Sequence, residues 1–195
     1  PYRVIGYSLG GLVAIELSRL MIEEGDLVDF LGLIDTYGPG YPLLAPLHQR
    51  IFIHIRNLVR ASWVDRNKYL IKRFDNLFRR FHSAIGMPHD QNPDIPGLED
   101  PVSRELYLSH EKAWDEYRAR PLDLEMHLFR AENDPKDPGT DYSDLYMGWS
   151  PYFPKGIHLH RVPGNHFSLF SQSNIKTLAK EIENSYGRAL LLDNR

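Results

Sequence analysis

The chain has 195 residues, 42% hydrophobic and 25% charged, enough to bury one sizeable core and unlike disordered or fibrous chains. A formal net charge of −3, with no Lys and Arg tract interleaved with aromatics, leaves no basic field for nucleic acid. Zero cysteines exclude disulfides, thiolate nucleophiles and cysteine metal sites and point to a reducing, cytoplasmic setting, and no stretch approaches the roughly 20 apolar residues that cross a bilayer.

The chain opens at Pro1 and is within a strand pattern by Val4, as a piece of a longer protein would be. Arg3 to Tyr7 reads as a short buried strand. Leu9 to Glu24 reads as a helix with Leu12, Val13, Leu17, Leu20 and Met21 on one face, stopped at Gly25. Leu27 to Ile34 is again strand-like, with Asp35 at its end and the breakers Gly38, Pro39 and Gly40 after it, so the start is β-α-β at crossover spacing. Apolar residues then recur at helical intervals, first Leu47, Ile51, Ile55, Leu58 and Val59, then Leu70, Phe74, Leu77, Phe78 and Phe81. A proline-rich connector leads to a third helix, capped by Asp100, opened by Pro101, with Leu106, His110, Ala113 and Tyr117 on one face. Strand patterns return at Leu124 to Ala131 and Ile157 to Val162, and a last helix runs from about Asn174 to Arg188. The expected architecture is a single α/β domain, residues 1–195, with a helical insertion at about 41–120.

Gly6-Tyr7-Ser8-Leu9-Gly10 is the pattern Gly-x-Ser-x-Gly, and it falls between a strand and a helix, where a nucleophile on a sharp turn belongs. The turn is expected to be so tight that side chains flanking the serine would collide, which accounts for Gly6, Gly10 and the following Gly11. Leu9 opens the helix, so its backbone N–H points to where a tetrahedral oxyanion would form. The glycine spacing fits neither Gly-x-Gly-x-x-Gly nor a Gly-Lys-Ser/Thr phosphate loop.

A serine hydroxyl needs a neighbouring base, and His166 follows the Ile157 to Val162 strand through Pro163, Gly164 and Asn165. The acid that orients it is expected to be Asp35, at a strand tip where side chains converge, with Asp134 or Asp137, in the polar loop after the next sheet strand, as the alternative. His158 and His160 alternate on one strand face, but with no third ligand nearby a metal is not expected.

Four stretches, Pro1 to Gly11, Leu33-Ile-Asp-Thr36, His127 to Ala131 and Val162 to Leu169, together resemble the thioesterase domains that end nonribosomal peptide and polyketide synthases. The resemblance extends to Gly148-Trp149-Ser150 and the helical lid. It implies an α/β-hydrolase fold, Asp35 as the acid, and no bound cofactor. It further implies an acyl, peptidyl or polyketide chain arriving on the phosphopantetheine arm of a carrier protein or upstream synthase module, passing to Ser8 and leaving by hydrolysis or cyclisation.

The family's domain begins well before its nucleophile strand, so the early strands and the second oxyanion donor are expected to lie outside this chain, with activity weak or absent in the piece alone. The Arg3 to Tyr7 strand would then be an edge that can pair with another chain as a dimer. Two other readings compete: a free-standing type II thioesterase or small-ester hydrolase, and a catalytically silent module that binds a carrier protein.

Overall fold

The computed structural model describes residues 1–49, 52, 100–133 and 140–192. The predicted helices over 47–59 and 70–81 fall mostly, and Asp134 and Asp137 wholly, outside these residues. The chain divides into two compact units, Pro1–Leu44 with Ala113–Arg195, and Ala45–Lys112. In chain order the elements are β1 (Tyr2–Tyr7), α1 (Leu9–Glu23), β2 (Val28–Ile34), β3 (Leu43–Leu44), α2 (Pro101–Glu116), β4 (Met126–Ala131), β5 (Thr140–Asp141), β6 (Ile157–Val162) and α3 (Ile175–Leu192).

Four strands form a parallel sheet in the order β1-β2-β4-β6, with β1 at one edge of the described sheet. The inner strands β2 and β4 are mostly apolar and buried because both of their faces are covered, whereas β1, expected to be buried, lies at the edge and buries only Gly6. Successive side chains point to opposite faces, so Leu31, Leu33, Met126 and Leu128 join one core with Leu12, Ala14 and Ile15 of α1. Phe30, Ile34, Phe129, Ala131 and Val162 join the other core with Leu178 of α3. The result is three layers, helix, sheet and helix. A short antiparallel ribbon of β3 with β5 stands apart from the sheet.

α1 starts at the Ser8 turn and ends where Gly25, at φ 91°, lets the chain leave the helix. Gly25 N–H donates to the Ile22 carbonyl and Asp26 N–H to the Met21 carbonyl, the paired closing bonds of a Schellman end. Its buried face differs from the expected one. Gly11, Leu12, Ala14, Ile15, Ser18 and Arg19 are buried, whereas Val13, Leu17 and Leu20 are 62%, 44% and 55% exposed. The small residues Gly11, Ala14 and Ser18 let the helix lie close on the sheet, and an apolar count alone does not reveal such a stripe.

Asp100 caps α2 as expected, its carboxylate accepting the Ser103 N–H at 2.9 Å. That bond, with further help from the Ser103 side chain, holds the Asp100 carboxyl below its usual range. The face of Leu106, His110 and Ala113 is not a buried one, since none of the residues of α2 is buried. Trp114 and Tyr117 pack at the margin of the first unit's core instead. Among the described residues, no helix is long and apolar enough to cross a membrane.

Candidate active site

β1 delivers the chain to Ser8, whose N–H donates to the Ile34 carbonyl at 3.0 Å and so continues the sheet one residue beyond the strand. Ser8 then adopts φ 54°, ψ −126°, a region that costs a non-glycine residue about 1–3 kcal/mol and persists only where the surroundings enforce it. The enforcing contacts are visible. A Cβ on Gly6 would overlap the carbonyl of Gly10, and one on Gly11 would overlap the side chain of Thr36. Gly10 is different, because a Cβ there meets nothing within 4 Å among the described residues. The expectation that both glycines flanking Ser8 are sterically required therefore holds for Gly6 and not for Gly10; the close approach comes from Gly11, one residue further on.

Serine at a helix N-cap commonly spends its hydroxyl on a first-turn N–H, but Ser8 makes no such side-chain bond. The hydroxyl is thus left for chemistry. The Leu9 N–H is one of the first-turn donors that a helix leaves without an intrahelical partner. It sits at the positive end of the α1 dipole.

β2 delivers Asp35, one residue past the strand and at φ 46°. Its side chain is fully buried, and burying a carboxylate is costly unless its oxygens are satisfied. Both are: Oδ1 accepts the Ala131 N–H at 2.9 Å, and Oδ2 accepts the Nδ1–H of His166 at 2.8 Å. The Asp35 N–H donates to the Phe129 carbonyl at 2.8 Å, so backbone and side chain are both tied to β4.

The adjoining Thr36 locks the elbow from below. Its hydroxyl donates to the Ser8 carbonyl at 3.0 Å, and its own carbonyl accepts the buried indole N–H of Trp149 at 2.8 Å. Sequence reasoning had Thr36 and Trp149 only as parts of recognisable stretches. A hydroxyl residue directly after a strand-tip carboxylate was the available signal.

His166 sits on the loop after β6, where Gly164 takes φ 101°. Asn165 shapes this loop, its Oδ1 accepting the N–H groups of Phe167 and Ser168 at 3.1 and 3.0 Å. The His166 side chain is 27% exposed, reached by solvent on part of the ring and sheltered on the rest. Tyr7, the residue before Ser8, stacks on the imidazole with ring centroids 4.8 Å apart and donates its hydroxyl to the His166 carbonyl at 2.6 Å.

The structure thus brings Asp35 and His166 together beside the turn that carries Ser8, while Asp134 and Asp137 lie outside the described residues. His158 and His160 lie on the α3 face of the sheet, away from this turn, with His127. The His127 ring stacks on His158, and its Nδ1 is 3.0 Å from the Nε2 of His160. No group of three or more His, Asp or Glu among the described residues could hold a metal ion.

Residues 1–43, which span β1, α1, β2 and Asp35, match the family model of the thioesterase domain. The non-reducing polyketide synthase crz7 of Cladonia metacorallifera is 26% identical over 197 residues, covering 93% of this chain and 9% of that protein. The vanchrobactin synthetase VabF of Vibrio anguillarum is 51% identical over 39 residues, 20% of this chain and 1% of that protein. The chain therefore spans less than a tenth of the length of these relatives. Among solved structures, the NocB thioesterase domain in covalent complex with a fluorophosphonate nocardicin G analog is similar at TM-score 0.56 and 24% identity, over 97% of this chain and 66% of that one. The four-domain nonribosomal peptide synthetase holo-AB3403 is similar at TM-score 0.58 and 22% identity, over 95% of this chain and 14% of that one. The fold is the α/β-hydrolase fold of such thioesterase domains.

Proposed function

We propose that the chain carries the catalytic part of a thioesterase that frees an acyl, peptidyl or polyketide chain from the phosphopantetheine arm of a carrier protein. The observation that carries this reading is the buried Asp35 bonded to Nδ1 of His166, next to a strained turn that leaves the Ser8 hydroxyl uncapped. With Nδ1 committed to Asp35, the lone pair of His166 is on Nε2, the form in which an imidazole takes a proton.

The chemistry follows from those positions. Ser8 Oγ attacks the thioester carbonyl while His166 Nε2 takes its proton, and the charge that collects on the carbonyl oxygen is met by the Leu9 N–H and the α1 dipole. The C–S bond then breaks, the pantetheine thiol leaves with the proton held by His166, and the acyl group stays on Ser8 as an ester. Water or a nucleophile within the chain itself attacks that ester, with His166 again the base, and Ser8 regains its proton. Asp35 stabilises the imidazolium in both halves without changing its own protonation. The similarity to multidomain synthases supports a carrier protein or upstream synthase module as the partner.

Incubation with a fluorophosphonate followed by intact-mass measurement tests the reading. One adduct, on Ser8 and absent from Ser8→Ala, is the expected result. Turnover of an acyl thioester retained in Ser8→Ala would sink the assignment of the nucleophile.

A further inference from the structure

We infer that Tyr7 is a positioning residue for the base, fixing where the His166 imidazole stands relative to Ser8; the inference rests on the reading of Ser8, His166 and Asp35 given above. Asp35 fixes one nitrogen of the ring, and Tyr7 adds two contacts that hold the rest of the residue in place. The Tyr7 hydroxyl donates to the backbone carbonyl of His166 at 2.6 Å, across 159 positions of sequence. The Tyr7 ring lies against the imidazole at 4.8 Å between centroids and 26° between planes.

The connection matters because of where Tyr7 stands. It is joined to the nucleophile by one peptide bond, and it is the last residue of β1, in register with Ile34 of β2. Base and nucleophile sit on segments far apart in the chain, so their spacing would otherwise depend on the stacked tolerances of the sheet and the loop after β6. Through Tyr7 the path from Ser8 to His166 shortens to one peptide bond, one rigid side chain and one hydrogen bond. Phe170 packs edge-on against Tyr7 at 4.9 Å, and its near-perpendicular ring limits rotation of the phenol. The stacked phenol face also suits the imidazolium that forms during reaction, since an aromatic face attracts a cation.

The expected consequence is selective. Misplacing a catalytic group by about 1 Å costs on the order of 100-fold in rate. Tyr7→Phe keeps the ring and its packing while removing the hydroxyl, and Tyr7→Leu removes both. The fluorophosphonate labelling rate of Tyr7→Phe is expected to fall about 10- to 100-fold and that of Tyr7→Leu further, with KM for an acyl thioester changed less than about twofold in Tyr7→Phe. The proton NMR resonance of the His166 Nδ1–H should broaden in Tyr7→Phe as the ring gains motion, while Tm stays within a few degrees. A merely structural tyrosine would move Tm and leave this resonance sharp in the folded fraction.

His166→Ala separates the two layers of the inference. Should His166→Ala label at the parent rate, the base assignment fails and the role of Tyr7 with it. Should His166→Ala lose labelling while Tyr7→Phe and Tyr7→Leu stay within about twofold of the parent, the base stands and the positioning role is overturned. A loss in Tyr7→Phe fully accounted for by a lower Tm would overturn it as well.

Discussion

The Nδ1 of His166 and the Oδ2 of Asp35 lie 2.8 Å apart although 131 positions separate the residues, and the Asp35 carboxylate is closed to solvent. Asp35→Asn tests what this pair does. The amide oxygen can still accept the Ala131 N–H now bound by Oδ1, so the fold should survive. The amide nitrogen, however, faces Nδ1 with a donor and drives the imidazole proton to Nε2, the atom that accepts from Ser8 in the proposed mechanism. Labelling of Ser8 by a fluorophosphonate should drop about 1000- to 10000-fold with little change in Tm. A rate within tenfold of the parent would show that another carboxylate orients His166.

The three glycines of the elbow should respond differently to alanine. Gly11→Ala drives a methyl into the Thr36 side chain, which also holds the Ser8 carbonyl, so the variant should lose both stability, by about 1–3 kcal/mol, and labelling of Ser8. Gly6→Ala meets backbone atoms of Gly10 and Gly11, which cannot swing aside, and should be worse. Gly10→Ala meets nothing among the described residues, and helix propensity even favours it by up to about 1 kcal/mol. Urea denaturation of the three variants gives the order; a Gly10→Ala variant as damaged as Gly11→Ala would contradict the local packing.

Much of this site was legible in the sequence because its chemistry is written locally. Gly-x-Ser-x-Gly between a strand and a helix places Ser8, and the glycine and asparagine before His166 mark its loop. Strand tips of a parallel sheet converge, which makes Asp35 a candidate from its position in the sequence alone. What periodicity could not give is which side of an element faces what. α1 is apolar around much of its circumference, and only the need to lie close to β1 and β2 selects the small stripe of Gly11, Ala14 and Ser18 over the larger Val13, Leu17 and Leu20. Tyr7 and Thr36 were not legible as parts of the candidate site because their partners, His166 and Ser8, are distant in sequence and met only through tertiary structure.

Arg19 is a charged residue on the buried side of α1, 8% exposed, and its guanidinium accounts for that burial. It donates to the carbonyls of Pro121 at 2.9 Å and Arg120 at 2.7 Å, pinning the segment that follows α2 to α1, with Glu16 as counterion at 3.3 Å. Arg19→Met keeps the stem and strips these donors, leaving two carbonyls without their partner. A loss of about 2–4 kcal/mol is expected in urea denaturation. Arg19→Lys should recover little, because one ammonium cannot span both carbonyls with the geometry of a planar fork. Full recovery by lysine would mean that charge alone, paired with Glu16, is what the site requires.

Tyr117 reports on the same junction through pH. Its hydroxyl donates to Glu16 at 2.9 Å, and burial, then this bond and the Glu16 charge, push the phenol well above its ordinary value. Because the folded state holds this proton more tightly than the unfolded chain, whose tyrosines titrate near about 10, the contribution is full below about pH 10. It is lost as pH rises from there through the folded value. Tyr117→Phe should therefore be less stable than the parent at pH 8, by about 1 kcal/mol for a hydrogen bond to a partly exposed carboxylate. The gap should narrow progressively above pH 10, as the parent loses what the variant never had. Urea midpoints at pH 8, 10 and 11 measure it, and a gap constant across that range would show that Tyr117 stabilises the junction by packing rather than by its proton.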